Sequence, residues 1–232
     1  MMHRQIRSAY VRMLRGARAV ARGTGVLERL EAGESRRARW LRSLFAIYDF
    51  DDLTRLDLPW WTFDAVEEVE AFLAARPQAR VFEWGSGAST LWLSKRAGEV
   101  VSVEHDPQWF GMVTERLTAL QNVRLRHAPA EATGDVASRK PGFEGQFFDR
   151  YVAAIREEDG LFDLIVIDGR AREACLEEAK LRLAPGGVIV LDDFKRDRYR
   201  VAARDSGLTT RALDGLAVCL PLPDSTALLS RG

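Results

Sequence analysis

The apolar positions of this chain change period several times. Over residues 4–22 they fall on one side of a helical wheel, where Ile6, Tyr10, Met13, Leu14, Ala17, Val20 and Ala21 oppose Arg4, Arg7, Arg15, Arg18 and Arg22. Gly23-Thr24-Gly25 ends that helix, and a second helical pattern carries Trp40, Leu41, Leu44, Ile47 and Tyr48. After an aromatic break at 57–62, Asp64 with Glu67 three residues on has the form of a capping box. It opens a helix with Val66, Val69, Phe72 and Leu73 inward, stopped by Pro77. From there short β-branched runs alternate with helical ones. The pattern predicts strands at 80–84, 100–104, 122–127, 162–168 and 187–192, and helices at 88–97, 107–120, 146–158 and 171–183. An irregular polar stretch fills 132–145, and strand-like runs at 208–219 and 226–230 close the chain. Leu164–Ile167 and Val188–Leu191 lack polar alternation, as strands covered on both faces do. The expectation is an α/β fold, a mostly parallel sheet with helices on both faces over 59–232, preceded by a helical arm over 1–58.

At 232 residues, 47% apolar and 29% charged, the chain has the length and composition of one sizeable globular domain with an appendage. Its zero net charge hides an asymmetry. Residues 1–45 hold eleven Arg and three Glu with no Lys or Asp, a net +8 that the remainder balances. Such an arm suits packing on the domain, self-association, or contact with an acidic membrane surface, and nucleic acid is the weakest of its readings because basic charge alone is poor evidence. Cys175 and Cys219, 44 positions apart, make neither a disulfide framework nor a zinc pattern. No apolar run approaches the roughly 20 residues that span a bilayer, and the Arg-rich start lacks a secretory apolar core. The expected location is cytoplasmic, with peripheral membrane contact through the arm as an option.

The chemistry gathers at the strand ends, where ligands of an open α/β sheet bind. The first strand ends in Glu83 and Gly85-Ser86-Gly87, and the second in Glu104-His105-Asp106. The third leads to Ala130 and Glu131, the fourth to Asp168-Gly169-Arg170, and the fifth to Asp192-Asp193. Glycines let the backbone approach a ligand, and Ser89 and Thr90 open the next helix, where hydroxyls can bond free N–H groups or a cofactor carboxylate. Glu104 lies 19 positions after Gly85, the interval at which an acid meets a ribose diol. Three carboxylates, Asp168, Asp192 and Asp193, could hold Mg²⁺, which favours oxygen ligands. Arg170 and Arg172 read equally as anion binders or as solvated residues at a helix start.

These motifs resemble the class I S-adenosylmethionine-dependent methyltransferases over residues 59–230. The phrase Glu83-Trp-Gly-Ser-Gly-Ala-Ser-Thr90, the acid Glu104 and the Pro185-Gly-Gly187 turn carry the likeness, which is closest to a bacterial subgroup of unassigned function. The resemblance implies a Rossmann-like seven-stranded sheet with a C-terminal antiparallel strand. It implies S-adenosylmethionine held by Glu83, Gly85, Ser86, Gly87, Ser89, Thr90, Glu104, His105, Ala130, Glu131 and Asp168. A looser likeness to catechol O-methyltransferase-type enzymes puts Asp168, Asp192 and Asp193 where those carry metal-binding acids, with Asp193 in place of the usual Asn. Asp168 and Asp193 are then the candidate catalytic groups, with His105 and His127 as alternatives. The implied reaction moves a methyl group to a small-molecule or glycan acceptor, oxygen before nitrogen. The irregular stretch 132–145, Tyr151 and Trp60-Trp61 would border the acceptor. Two other classes compete: aminopropyl transfer or nicotinamide-dependent reduction on the same fold, and a non-catalytic binding protein using the arm. A dinucleotide site wants a third glycine where Thr90 stands.

Overall fold

A computed structural model of the chain describes residues 13, 14 and 16–232. Helix α1 (residues 16–23) leads into α2 (Val26–Glu31), α3 (Arg36–Leu44), α4 (Phe50–Leu56) and α5 (Phe63–Ala74). The alternating region follows: β1 (Arg80–Trp84), α6 (Ala88–Ser94), β2 (Glu99–Glu104), α7 (Pro107–Leu117), β3 (Val123–His127), α8 (Asp149–Ala153), β4 (Phe162–Ile167), α9 (Arg172–Arg182) and β5 (Leu183–Leu191). Then come α10 (Asp197–Asp205), β6 (Thr209–Gly215) and β7 (Asp224–Ser230). The seven strands form one sheet in the order β3-β2-β1-β4-β5-β7-β6, with β1 to β5 parallel and β7 antiparallel to both β5 and β6. The α/β expectation holds, including the antiparallel strand. One face of the sheet packs Phe82, Trp84 and Ile165 under α8 and α9, and the other packs Val81, Val166 and Val190 under α5 and α6. The strand order reverses between β1 and β4, so their C-terminal loops part and open a crevice.

Several elements differ from the sequence reading, each for a local reason. The N-cap of α5 is Thr62, whose Oγ1 accepts the Ala65 N–H, and not Asp64. Asp64 and Glu67 instead take the two arms of the Arg36 guanidinium, tying α3 to the domain. The strand at 187–192 begins at Leu183, which pairs with Phe162 before a bulge, and regular pairing resumes at Val188 with Leu164. The run at 208–219 leaves the sheet after Gly215. Val218 and Cys219 then donate backbone N–H groups to Trp61 and to Ser43 Oγ. The helix at 146–158 starts late because Phe147 is paired with Glu131, and it finishes as a 3₁₀ turn, Ala154–Glu157.

The arm is folded onto the domain. Leu14, Ile47 and Leu53 share a core with Phe63 and Val218. Residues 4–12 and Arg15 of the amphipathic pattern lie outside the described residues. Within the rest, the wheel is rotated from expectation. Leu14 and Ala21 are buried, Met13 and Val20 are 61% and 67% exposed, and Arg18 turns inward. The cause is a buried ion network. Arg42, 1% exposed, grips Asp52 at 2.9 and 2.7 Å and Glu31 at 2.6 Å. Arg18 adds pairs to Asp49 and Asp52, and Arg55 to Glu31 and Asp52. Arg18, Arg42 and Arg55 of the arm are therefore neutralised internally. No helix among the described residues is long and apolar enough to cross a membrane.

The glycine loop after β1 is braced from behind. Glu83 is fully buried, and its carboxylate accepts Ser89 Oγ at 2.5 Å, Thr90 Oγ1 at 2.5 Å and Ser102 Oγ at 2.6 Å. Thr90 Oγ1 in turn accepts the Gly87 N–H at 2.9 Å. Burial pushes Glu83 up to about 7, against the opposing pull of these three hydroxyls.

Two predictions follow from these buried groups. Arg42→Ala takes from Asp52 its fully buried partner, leaving only the more exposed Arg18 and Arg55, and is expected to cost up to about 3–5 kcal/mol, the scale for breaking a buried pair. Urea unfolding checks it, and a loss below about 1 kcal/mol would show that the network is as weak as a surface pair. The second concerns pH. Glu83 titrates near 4.5 in the unfolded chain and is pushed up to about 7 in the fold, so between those values the native state holds more protons and stability falls as pH rises. Glu83→Gln removes that loss. Its stability relative to wild type should therefore rise by up to about 3 kcal/mol between pH 4.5 and pH 8; a pH-independent difference would mean Glu83 is not held protonated.

Candidate active site

The crevice at the switch point is a cavity of about 1210 Å³, walled by the loops after β1, β2, β4 and β5, by residues 135–140 and by the arm. Gly85 sits where β1 and β4 part, with φ 101°, and a Cβ there would lie 2.7 Å from the Gly169 nitrogen. A Cβ on Gly169 would lie 1.8 Å from the Tyr151 hydroxyl. The two glycines thus let the loops cross in contact. At Gly87 a Cβ would meet only Trp109, at 3.9 Å, so this peptide faces open space in the cavity wall.

Glu104 ends β2 at the cavity. Its Oε1 accepts the backbone N–H groups of His105 and Asp106, both at 2.8 Å, and the His105 Nδ1 lies 2.7 Å away. No described residue bonds Oε2, which leaves half of a carboxylate for a ligand diol. His105 lines the cavity too, its ring set against Phe143 and Phe148. Trp109 Nε1 donates to the Ser86 carbonyl at 2.6 Å and fixes the loop from the front, while the Ser86 hydroxyl turns back to Ser102 Oγ.

Among the sequence-derived site residues, Gly85, Ser86, Gly87, Ser89, Glu104, His105, Asp168 and Asp193 meet at this cavity. Glu83 and Thr90 do not line it and act from behind the loop. Ala130 and Glu131 do not reach it either: Ala130 packs on the core, and Glu131 pairs its backbone with Phe147 and its carboxylate with the Arg150 N–H. His127 is stacked on Phe110 at the sheet edge, and Tyr151 is buried beneath Gly169. Trp60, Trp61 and the stretch 135–140 are wall residues as expected. Sequence reasoning missed the arm's share of the wall. Tyr48 packs edge-on against Trp60 at 5.1 Å, and Phe50 against Trp109 at 5.8 Å. Nothing in the apolar pattern shows which loop an appended helix will cover.

At the far end Asp168, Asp192 and Asp193 converge, but not on an open position for a cation. They surround the Arg172 guanidinium, with Nη2 at 2.9 Å from Asp168 and 3.3 Å from Asp193, and Nη1 at 3.6 Å from Asp192. Arg172 also donates from Nε to the Gly169 carbonyl and from Nη2 to that of Asp168. The Mg²⁺ expectation is corrected accordingly: the donor set is already compensated by a fixed cation. Among the described residues no group of three or more His, Cys, Asp or Glu could hold a metal ion. Asp193 further pairs with Arg196 at 2.6 Å, and Thr226 donates to Asp192 at 2.9 Å.

Burial dominates the titration here. It pushes Asp168 up to about 6, with Arg172 pulling down and Asp193 and Glu83 adding to the rise. Asp192 is raised well above the carboxylate range by burial and then by Asp168. Burial opposes the charge on Arg172, but the three acids outweigh it and hold the guanidinium protonated. Two backbone strains aim these groups. Ala171 (φ 49°) and Asp193 (φ 59°) both occupy the left-handed region without being glycine, a cost that persists only where the surroundings enforce it.

Residues 82–194 match the family model of a methyltransferase domain. Among curated proteins none matches the chain. The fold is similar to that of a methyltransferase-like protein from Silicibacter pomeroyi, 22% identical over 71% of this chain and 86% of that one, with a TM-score of 0.50. It is likewise similar to an rRNA methylase from Streptococcus thermophilus, 14% identical over 72% of this chain and 96% of that one, also at 0.50. With the strand order and the glycine loop at the switch point, the match identifies residues 82–194 as a methyltransferase domain on a Rossmann-like fold.

Proposed function

We propose that the enzyme binds S-adenosylmethionine at the β1–β2 end of the cavity and transfers its methyl group to an oxygen of a small-molecule or glycan acceptor at the β4–β5 end. The observation that carries this reading is Glu104. One oxygen is held by two backbone N–H groups and the other is unbonded at the cavity wall, beside the open peptide of Gly87. That geometry fits a ribose diol with the rest of a nucleoside along Gly85–Gly87. The cavity exceeds the roughly 300–1,000 Å³ of a single-ligand pocket, which leaves room for an acceptor alongside. Thr90, bonded to Glu83, stands where a dinucleotide site has the third glycine that packs helix on strand.

When bound, S-adenosylmethionine supplies a methyl group already activated on a sulfonium, so the protein's contribution is chiefly alignment. Asp168 stands between the glycine loop and the acceptor end of the cavity. With its carboxyl raised to about 6 it is ionised at neutral pH yet basic enough to take a hydroxyl proton as the oxygen attacks. Asp193, tied to Arg172 and Arg196, supports that position and is not free to act as a second base. Tyr48, Trp60 and Phe50 close the arm side and keep water from the transfer path.

Calorimetry with S-adenosylmethionine, S-adenosylhomocysteine and NAD tests the reading. The first two should bind and NAD should not; binding of NAD alone would overturn it. Glu104→Ala should weaken nucleoside binding by about 1.5–3 kcal/mol, the scale of a hydrogen bond to a charged group, and an unchanged affinity would remove the ribose assignment.

A further inference from the structure

We infer that Arg172 is a built-in cation that takes the position a divalent metal would occupy among Asp168, Asp192 and Asp193, so that the transfer centre works with a guanidinium and no metal. The inference extends the acceptor end of the proposed site, and only its link to catalysis rests on that reading.

Four observations converge. First, a cation in the first turn of α9 opposes the helix dipole, which favours negative charge there. The residue is nonetheless 6% exposed, deep inside the fold. A buried arginine against a helix N-terminus is kept only by strong compensation, and the three carboxylates supply it. Second, the carboxylates come from the ends of two adjacent strands, β4 and β5, and close on one point from different directions. Thr226 and Arg196 anchor Asp192 and Asp193 from outside, so the acids are fixed in that orientation. Third, the guanidinium is pinned by Nε to Gly169 and by Nη2 to Asp168 and rests on the Tyr199 ring, its Cζ 5.5 Å from the centroid. Fourth, Nη1 is buried and makes no hydrogen bond with any described residue, while Arg172 borders the cavity. An orphaned donor of a charged group is costly, and here Asp192, 3.6 Å away, compensates it by charge and not by a hydrogen bond.

A guanidinium in this place does part of what a metal would. It holds three acidic side chains together, and it places positive charge beside an acceptor oxygen that becomes anionic as its proton passes to Asp168. It differs from a metal in having fixed donors, a fixed plane and no exchangeable coordination position. Arg172 is thus a positioning residue for the three acids.

The test uses the full chain saturated with S-adenosylhomocysteine and Mn²⁺ as the probe, read by electron paramagnetic resonance of free ion. Wild type should show no Mn²⁺ site that depends on Asp168. Arg172→Ala leaves the three carboxylates uncompensated and should gain one site, at least tenfold tighter than any wild-type binding and abolished by adding Asp168→Asn. Arg172→Lys, which keeps the charge, should not gain it, an outcome that a purely structural role for the side chain would not give. Circular dichroism verifies folding, and if Arg172→Ala does not fold, Arg172→Gln carries the same comparison while retaining more of the packed stem. A Mn²⁺ site in wild type that disappears in Asp168→Asn would overturn the inference, as would a folded Arg172 variant lacking the charge that gains none. Failure of S-adenosylhomocysteine to bind would count against the proposed function and leave the Mn²⁺ comparison, run without it, still decisive for Arg172.

Discussion

Five acids stand at the carboxyl edge of one parallel sheet, and the site depends on how each is compensated. Left alone they would repel one another and lose water on burial, at a cost of several kcal/mol each. Three solutions appear along that edge. Glu83 is surrounded by hydroxyls, which favour its charge too weakly to offset full burial, and it stays protonated up to about 7. Glu104 takes two backbone N–H groups on one oxygen and presents the other to the cavity. Asp168, Asp192 and Asp193 share a guanidinium. The differences in compensation divide the cavity into a nucleoside-type end and a transfer end.

The strand pattern and the acids at strand ends were legible in the sequence because both follow from short-range rules. Continuous apolar runs mark doubly covered strands, and an acid just past such a run must fall at the sheet edge. The compensation was less legible. That Arg172 lies four residues after Asp168 on a helix start is a visible clue to an ion pair, but its contact with Asp192 and Asp193 is a product of strand adjacency, which no local pattern encodes. The same limit explains Ala130 and Glu131. Their motif position was right for a loop after β3, yet the pairing of Glu131 with Phe147 turns that loop away and hands the wall to residues 135–140.

The arm shows how a helical wheel misleads when a charge is structural. Arg18 looked solvent-facing because arginine usually is, and Met13 and Val20 looked buried because they are apolar. The ion network of Arg42, Asp52 and Glu31 reverses this by offering Arg18 the buried Asp52, next to the half-buried Asp49. That rotation has a consequence at the active site. Asp49 caps α4 and pairs with Arg18, and the same turn carries Tyr48 and Phe50 into the cavity wall. The arm's charge chemistry and the site's aromatic wall are therefore one construction.

That construction bears on how the transfer end can function. A guanidinium among carboxylates is strong electrostatically only where water is scarce, since screening removes most of the interaction between exposed charges. The sheet and α9 exclude water from below, and Tyr199 covers one side of Arg172. The remaining side opens on the cavity, whose outer wall is the arm's Tyr48 and Phe50 against Trp60 and Trp109. An oxygen acceptor entering there would reach Asp168 beside the guanidinium of Arg172. On the proposal made above, the arm's part in the enzyme is the aromatic wall that faces a fixed organic cation across the cavity.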